Sequence, residues 1–412
     1  MEFQSFSVAT TAHGAGLLFS REERQRHVHI IGKSGSGKST FLFNLAMGDI
    51  HAGEGVAVID PHGDLAEDVL DAIPRSRIND VCYLDAGETE FLVGFNPATR
   101  IAPERRALAA SGVVSAFKHL WSDSWGPRLE HFLYHGIAAL ISRRHATLID
   151  LPRLYTDDFF RERVVRHVTD SETLRFWTEE FPGYTKSLRS DAIAPILNKA
   201  GQIAASPLRF ILGQVAPRLD LSFAMNNRHI LIANLAKGTI GEQAANLLGS
   251  LLVSHMQLVA MERGALPPRG RVPFSCTSTS SRRSARNRSR RSSRRRANSR
   301  RTFAWQTNTP TSSRTVRAAV IGNAGTLVVF RVGSHDAQLL APEFRPMDPS
   351  GLADQEPFTA WLRRGIGRDR IKAEDKLYEP LGTADLIRMQ NRQRFGRPRD
   401  AITQQRTPQR FP

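Results

Sequence analysis

The stretch Val28-His29-Ile30-Ile31-Gly32-Lys33-Ser34-Gly35-Ser36-Gly37-Lys38-Ser39-Thr40 places a short, mostly apolar run directly before a loop of Gly, Ser and Lys. Phe41-Leu42-Phe43-Asn44-Leu45-Ala46 then continues it with apolar spacing suited to a helix. Gly32 to Thr40 complete the phosphate-binding P-loop pattern in its proper setting, between a strand and a helix. The glycines let the backbone wrap closely around phosphates, so that successive N–H groups and the start of the next helix point at the anion. Lys38 reaches the outer phosphates, and the Ser39 hydroxyl can ligate Mg²⁺. A plain Gly/Ser turn would explain the loop but not its strand-and-helix context. The expected ligands are therefore ATP and Mg²⁺.

A chain of 412 residues with 41% apolar content can bury a sizeable core and suggests two or three domains. No apolar stretch approaches the ~20 residues that span a bilayer, and the first residues carry no signal-peptide pattern, so a cytoplasmic protein is expected. Cys82 and Cys276 are too few for a disulfide scaffold or a metal cluster. His131 and His135 share the spacing of a zinc-protease pair, but Phe132 stands where that motif needs its glutamate. They read as ordinary helix residues.

The net charge of +17 looks like a nucleic-acid footprint. Between Ser275 and Thr315, however, lie 12 arginines and no lysine, aspartate or glutamate, and 17 − 12 leaves +5 for the rest. The basic balance belongs mostly to one segment.

Along the chain, 1–26 reads as a polar leader. The first part of an α/β core follows over 27–101, with strands at Gly55-Val56-Ala57-Val58-Ile59-Asp60 and Val81-Cys82-Tyr83-Leu84-Asp85, a turn at Asp60-Pro61-His62-Gly63-Asp64, and Phe95-Asn96-Pro97 closing the block. Over 102–212 the periodicity is helical with almost no strand signal, which predicts an all-helical insertion with helices near 105–121, 127–144, 157–167 and 187–204. The core resumes over 213–345, with strands at His229 to Asn234 and Thr326 to Val332. Thr239 and Glu242 form a capping-box pattern before a long apolar helix. Residues 346–412 form a tail, rich in Arg and Gln beyond Arg388 and expected to be mobile.

Ser275 to Arg314 consists largely of Ser, Arg and Thr, and no core strand is expected from it. It could be a basic linker that grips phosphates. Yet it lies where a P-loop motor needs its Walker B strand, the apolar run whose acidic end holds Mg²⁺ and polarises the attacking water. Those acids are absent from this sequence.

The genetic code offers an explanation. Phe274 to Arg282 can be encoded as TTC TCC TGT ACA TCG ACG AGT TCC AGG, and reading from the third base gives Leu-Leu-Tyr-Ile-Asp-Glu-Phe-Gln, a strand ending in an acidic pair. Synonymous codons permit Asp and Glu there without forcing them. Around Trp305-Gln306-Thr307-Asn308 the same displacement forces Ala, then Asn or Asp, and permits Gln followed by Tyr or His, a plausible strand end with a polar sensor. Two compensating frame errors, near Phe274 and near Arg314, would account for the whole segment.

With the P-loop, Asp60 to Asp64, Phe95-Asn96-Pro97 and Trp125-Gly126-Pro127-Arg128 in hand, the chain resembles the type IV secretion coupling proteins and related conjugative DNA-transfer ATPases of the HerA/FtsK translocase superfamily, from about Arg21 to Phe344. That resemblance implies a RecA-like P-loop NTPase core carrying an all-helical inserted domain, assembled as a ring, usually a hexamer, that pumps DNA using ATP, with a secretion-system or membrane partner. It implies that Lys38 and Ser39 serve the phosphates and Mg²⁺, and that Arg331 is either an arginine finger on a neighbouring subunit's nucleotide or a surface arginine in an ion pair. Asp60 is not the Walker B acid by this resemblance; its role is structural or nucleotide-proximal. Trp121 and Trp125 read as packing residues. Two other readings stay open: a non-hydrolysing nucleic-acid binder acting through the Arg/Ser segment, and a protein-remodelling ATPase. For the chain as written, ATP binding is expected to be impaired and hydrolysis nearly absent, and a missing central strand would expose its neighbours' edges to aggregation.

Overall fold

The computed structural model describes residues 6–11, 14–24, 27–265, 267, 272–279, 301–307, 324–373 and 375–406. The chain divides into two compact units, one of Met1–Tyr83, Ser222–Asn234 and Arg263–Gln390, the other of Leu84–Leu221, Leu235–Glu262 and Asn391–Pro412.

The first unit is built on a large sheet. In chain order its strands are β1 (Phe6–Thr11), β2 (Gly16–Phe19), β3 (Val28–Ile31), β4 (Gly55–Asp60), β5 (Val81–Asp85), and, after the short β6 (Phe91–Val93) of the other unit, β7 (Ile230–Asn234), β8 (Phe274–Thr279), β9 (Arg301–Thr307), β10 (Thr326–Phe330), β11 (Thr359–Arg364) and β12 (Gly367–Lys372). Their order across the sheet is β2-β1-β12-β11-β10-β3-β9-β8-β4-β7-β5. From β10 to β7 the pairing is parallel, and of these central strands β10, β3, β4 and β7 read as near-continuous apolar runs because both faces are covered. β3 is buried throughout as Val-His-Ile-Ile, β4 as Gly-Val-Ala-Val-Ile-Asp. Helices α1 (Lys38–His51) and α2 (Asp64–Asp71) bury Phe41, Leu42, Leu45, Leu65 and Val69 in one core with Ile30, Val58, Ile232 and Val328.

Three expectations change here. Residues Phe6–Thr11 and Gly16–Phe19 are not a leader but an antiparallel pair, with Val8, Leu17 and Phe19 in the core. Phe274–Thr279 forms a fully buried strand and Arg301–Thr307 a second, so a core strand does arise from the Ser/Arg/Thr-rich segment. Main-chain ladders to both neighbours hold it, and threonine's β-branched side chain suits a strand. With β8 paired to β4 and to β9, the edges expected to be exposed by its loss are covered. The remainder of that segment, including Arg314, lies outside the described residues.

The second unit is mainly helical: α3 (Arg106–Leu120), α4 (Pro127–Ser142), α5 (Leu151–Thr156), α6 (Asp158–Val165), α7 (Lys186–Ala205) and α8 (Glu242–Glu262). Pro127 sits in the first turn of α4, where its missing N–H costs nothing. α8 packs along α3, and it is the one helix among the described residues that is long and apolar enough to cross a bilayer by length and composition, though 67% of that stretch is buried in the protein. It buries Leu247, Leu248, Leu251, Leu252, Met256 and Val259 in this unit. Thr239 does not cap it: Thr239 lies in the short helix Lys237–Ile240, and Gly241, in the left-handed region at φ 86°, separates the two.

The tail is structured as well. Thr383 Oγ1 lies within hydrogen-bond distance of the carbonyls of Leu70, Asp71 and Ile73 around the end of α2, with Ile73 the nearest at 3.0 Å. A helix α9 (Ala384–Arg394) follows, then β13 (Gly396–Pro398), which pairs with β6, and α10 (Arg399–Arg406). The polar composition that suggested mobility is instead absorbed by backbone pairing and ion pairs such as Arg392 with Glu88, 2.8 Å apart.

Candidate nucleotide-binding site

The P-loop leaves the carboxyl end of β3, a strand between β10 and β9. Gly32 is required there: a Cβ would stand 2.6 Å from Phe330 Cβ and 2.8 Å from Ser36 Oγ. Gly37, at φ 103°, forms the left-handed N-cap of α1, and its missing Cβ leaves room for the Phe358 backbone, 3.0 Å away. The loop is fastened on both sides. Lys33 N–H donates to the Arg331 carbonyl at 2.8 Å, and Phe358 N–H donates to the Ser36 carbonyl at 3.0 Å.

Inside the loop, Ser36 Oγ donates to the Lys33 carbonyl at 2.7 Å, and the Lys38 ammonium donates to the same oxygen. Lys38 is 3% exposed, and burial lowers its pKa to about 8. No side chain caps the start of α1 and no acidic residue lies in its first turn. Helix N-terminal N–H groups and a buried ammonium that pairs with no carboxylate among the described residues thus face the same loop, an arrangement that favours a multiply charged anion. Ser39, exposed on the first turn, has its hydroxyl unbonded among the described residues and free to ligate a cation. The residues present fit a nucleotide's phosphates.

The neighbouring strand ends tell a different story. Asp60 is 1% exposed, and its oxygens are fully engaged. Oδ2 accepts from the N–H groups of Gly63, Leu65 and Ala66 at 2.9, 2.9 and 3.2 Å, and Oδ1 accepts from His62 N–H at 3.0 Å. Asp60 therefore caps α2, the structural alternative of the two open for it. Its Oδ1 also accepts from Thr279 Oγ1 at 2.8 Å.

Thr279 ends β8, the strand beside β4 and one strand removed from β3. In the register of the sheet it pairs with Gln306, which in turn pairs with Ile30. A hydroxyl thus ends the strand beside β4 and points at Asp60. The strand carries further marks of misfit: Thr277 is fully buried with Oγ1 unpaired, and Ser275 and Ser278 are buried too. The place of this segment in the chain matched a motor's strand, but its composition gave no sign that it would form one, because sheet order is set by long-range pairing.

The other flagged residues fall elsewhere. Arg331 follows β10, its carbonyl on the P-loop and its Nε buried without a partner; it forms no ion pair among the described residues. His131 and His135 lie on α4, His131 Nε2 at 2.7 Å from Glu180 and His135 stacked on Phe176 with ring centroids 4.5 Å apart. Burial lowers the His135 pKa to about 4, and no group of three metal-ligating side chains occurs among the described residues. Trp121 packs on Phe117, and Trp125 Nε1 donates to Glu130 at 2.8 Å.

The fold is thus a RecA-like P-loop NTPase sheet accompanied by a mainly helical unit. Among solved structures, the chain is similar to the bacterial conjugative coupling protein TrwBdeltaN70 in its unbound form, at 14% identity and a TM-score of 0.63, covering 93% of this chain and 91% of that one. It is similar to plasmid coupling protein TrwB in complex with ADP and Mg²⁺ (15% identity, TM-score 0.62, 93% and 98% covered). It is also similar to VirB4 of Thermoanaerobacter pseudethanolicus (12% identity, TM-score 0.60, 91% and 97% covered). No protein-family model and no curated protein sequence matches the chain. The resemblance drawn from the motifs therefore holds at the level of the fold, over nearly the whole length.

Proposed function

We propose that the chain is the translation of an ATP-driven motor that moves DNA or a nucleoprotein in conjugation or type IV secretion, and that in the form written it binds nucleotide with little hydrolysis. The observation that carries the first half is the open, cation-lined helix start at Gly32 to Thr40 in this fold. Solved structures of TrwB with an ATP analogue and with ADP and Mg²⁺ support the choice of ligand.

Lys38 would neutralise the outer phosphates of a bound nucleotide, the loop N–H groups would orient them, and the Ser39 hydroxyl would help to hold Mg²⁺. When bound, the ion would offset charge on the phosphates as the terminal one is transferred to water. Arg331 serves as the arginine finger on a neighbouring subunit's nucleotide, in a ring that is a hexamer by resemblance. The protein works in the cytoplasm, held at the membrane by partners.

The second half rests on Thr279. Without a carboxylate at that strand end, nothing in the described residues polarises the attacking water. The overlapping frame permits Asp-Glu at this point of β8, and we attribute the Ser275 to Arg314 segment to two compensating frame errors. Sequencing the source DNA across codons 270 to 318 tests this; an uninterrupted frame with no indel relative to sibling genes would refute it. For function, ATPase assays of the overlapping-frame chain should show turnover that DNA stimulates, lost on Arg331→Ala with binding retained. Hydrolysis indifferent to DNA would count against a DNA motor.

A further inference from the structure

One segment carries 12 of the 17 excess positive charges, but the helical unit also gathers arginines that no run of sequence reveals. Arg143, at the end of α4, lies over the Phe160 ring at 5.1 Å, and Arg153 of α5 lies over the same ring at 4.5 Å. Arg163 of α6 lies over Phe159 at 5.8 Å. The three guanidiniums are close enough that Arg163 and Arg153 both push the Arg143 pKa down, after the larger effect of burial.

The nearby carboxylates are largely committed. Asp157 pairs with Arg153 at 2.8 Å, Asp158 with Arg161, and Glu162 with Arg166 at 4.0 Å. Asp150 attracts Arg143 but accepts from Thr147 N–H and Oγ1 in a capping box. Arg143 and Arg163 form no ion pair among the described residues. Beside them Phe159 is 68% exposed, a large apolar ring left mostly in water next to the Arg163 guanidinium.

Unpaired guanidiniums in mutual repulsion are relieved by phosphates, and an exposed ring at the same place offers a stacking face. From this juxtaposition we propose that Arg143, Arg163 and Phe159 form a contact site for single-stranded nucleic acid, the arginines on backbone phosphates and Phe159 under a base. Stacking of this kind tolerates any sequence, as a translocated strand demands. The proposal deepens the DNA-motor reading and rests on it. An anionic membrane would use the arginines equally but gives an isolated ring no base to stack on.

The test is photo-crosslinking of the full chain to a bromodeoxyuridine-substituted single-stranded oligonucleotide, with crosslinked peptides mapped by mass spectrometry. This readout is local, so the Arg-rich segment cannot mask it. We expect crosslinks at Phe159 and its neighbours, reduced about tenfold by Arg143→Gln with Arg163→Gln, and by Arg163→Glu alone. Arg75→Gln, at an exposed arginine of the other unit, should leave them unchanged. Phe159→Ala should remove the crosslink while single-strand affinity falls roughly tenfold, in keeping with one lost stack. The salt slope for single strands should shrink by about 1.4 in the double variant.

Crosslinks found only outside residues 143–167 would overturn this site while leaving the DNA reading standing. An oligonucleotide that neither binds nor crosslinks anywhere would sink both. Sedimentation with phosphatidylserine vesicles that depends on Arg143 and Arg163, without an oligonucleotide crosslink at Phe159, would assign the patch to a membrane and likewise overturn the proposal.

Discussion

Helices α1 and α2 begin alike and end up with opposite tasks. Each follows a strand of the same sheet, and each starts at a glycine in the left-handed region, Gly37 at φ 103° and Gly63 at φ 105°. At α2 the strand's last residue, Asp60, turns its carboxylate onto the N–H groups of Gly63, Leu65 and Ala66, so the anion this helix start favours is already part of the chain. At α1 the loop supplies a cation instead, Lys38, and leaves the first-turn N–H groups uncapped. One helix start is filled from within, while the other is arranged for an anion from outside. Fold position alone makes both possible; the sign of one side chain decides which becomes a ligand site.

The largest effect should come from breaking the filled end. Asp60→Ala strands three first-turn N–H groups, His62 N–H and Thr279 Oγ1, and should lower stability by about 3–5 kcal/mol, by analogy with loss of one partner of a buried charge network. A urea melt checks it. A shift below about 1 kcal/mol would mean that Asp60 is a bystander.

Breaking the open end should act on binding instead. Lys38→Ala should weaken nucleotide by about 1.5–3 kcal/mol, the worth of hydrogen bonds to a charged group, read by fluorescence of a labelled ATP analogue. Its urea midpoint should not fall, because the desolvated ammonium opposes folding when no anion is bound.

The same lysine sets a pH dependence. Its ammonium is charged below a pKa of about 8 and neutral above it, so nucleotide affinity should be flat from pH 6.5 to 7.5 and decline as pH rises past 8. Titration of affinity against pH tests the sign, with Lys38→Ala removing the dependence.

The smallest effect sharpens the comparison at β8. Thr277→Val replaces a buried hydroxyl whose Oγ1 has no partner, and should stabilise the chain by about 1–2 kcal/mol in the same urea melt. A loss of stability would show that the strand's hydroxyls are satisfied.

Much of this was legible in the sequence, for local reasons. Val28 to Ala46 carries strand, loop and helix in one short stretch, and its glycines sit where geometry permits nothing else. The helices of 106–120, 127–142, 158–165 and 186–205 follow from periodicity alone. What failed was non-local. Phe6–Thr11 has a partner strand far along the chain, Lys372 beside Thr10, that no window of sequence contains. The hydroxyl-rich Phe274–Thr279 reads as non-strand by composition yet is held by the backbone of β4 and β9. At the site, Lys38 and Ser39 were plain from the motif, whereas Asp60's commitment to α2 and its bond to Thr279 depend on the fold. The patch of Arg143, Arg153 and Arg163 is assembled from three elements, so charge counting by segment passes over it.

The central claim is a nucleotide site intact at α1 and without its acid at the end of β8. Its most direct test is paired measurement of ATP binding and turnover in the chain as written, beside a chain with residues 275–314 replaced by the overlapping-frame reading. The account predicts Mg²⁺-dependent binding weakened by about 1.5–3 kcal/mol on Lys38→Ala in both chains, with turnover only in the second. Sustained hydrolysis by the chain as written, lost on Lys38→Ala, would contradict it.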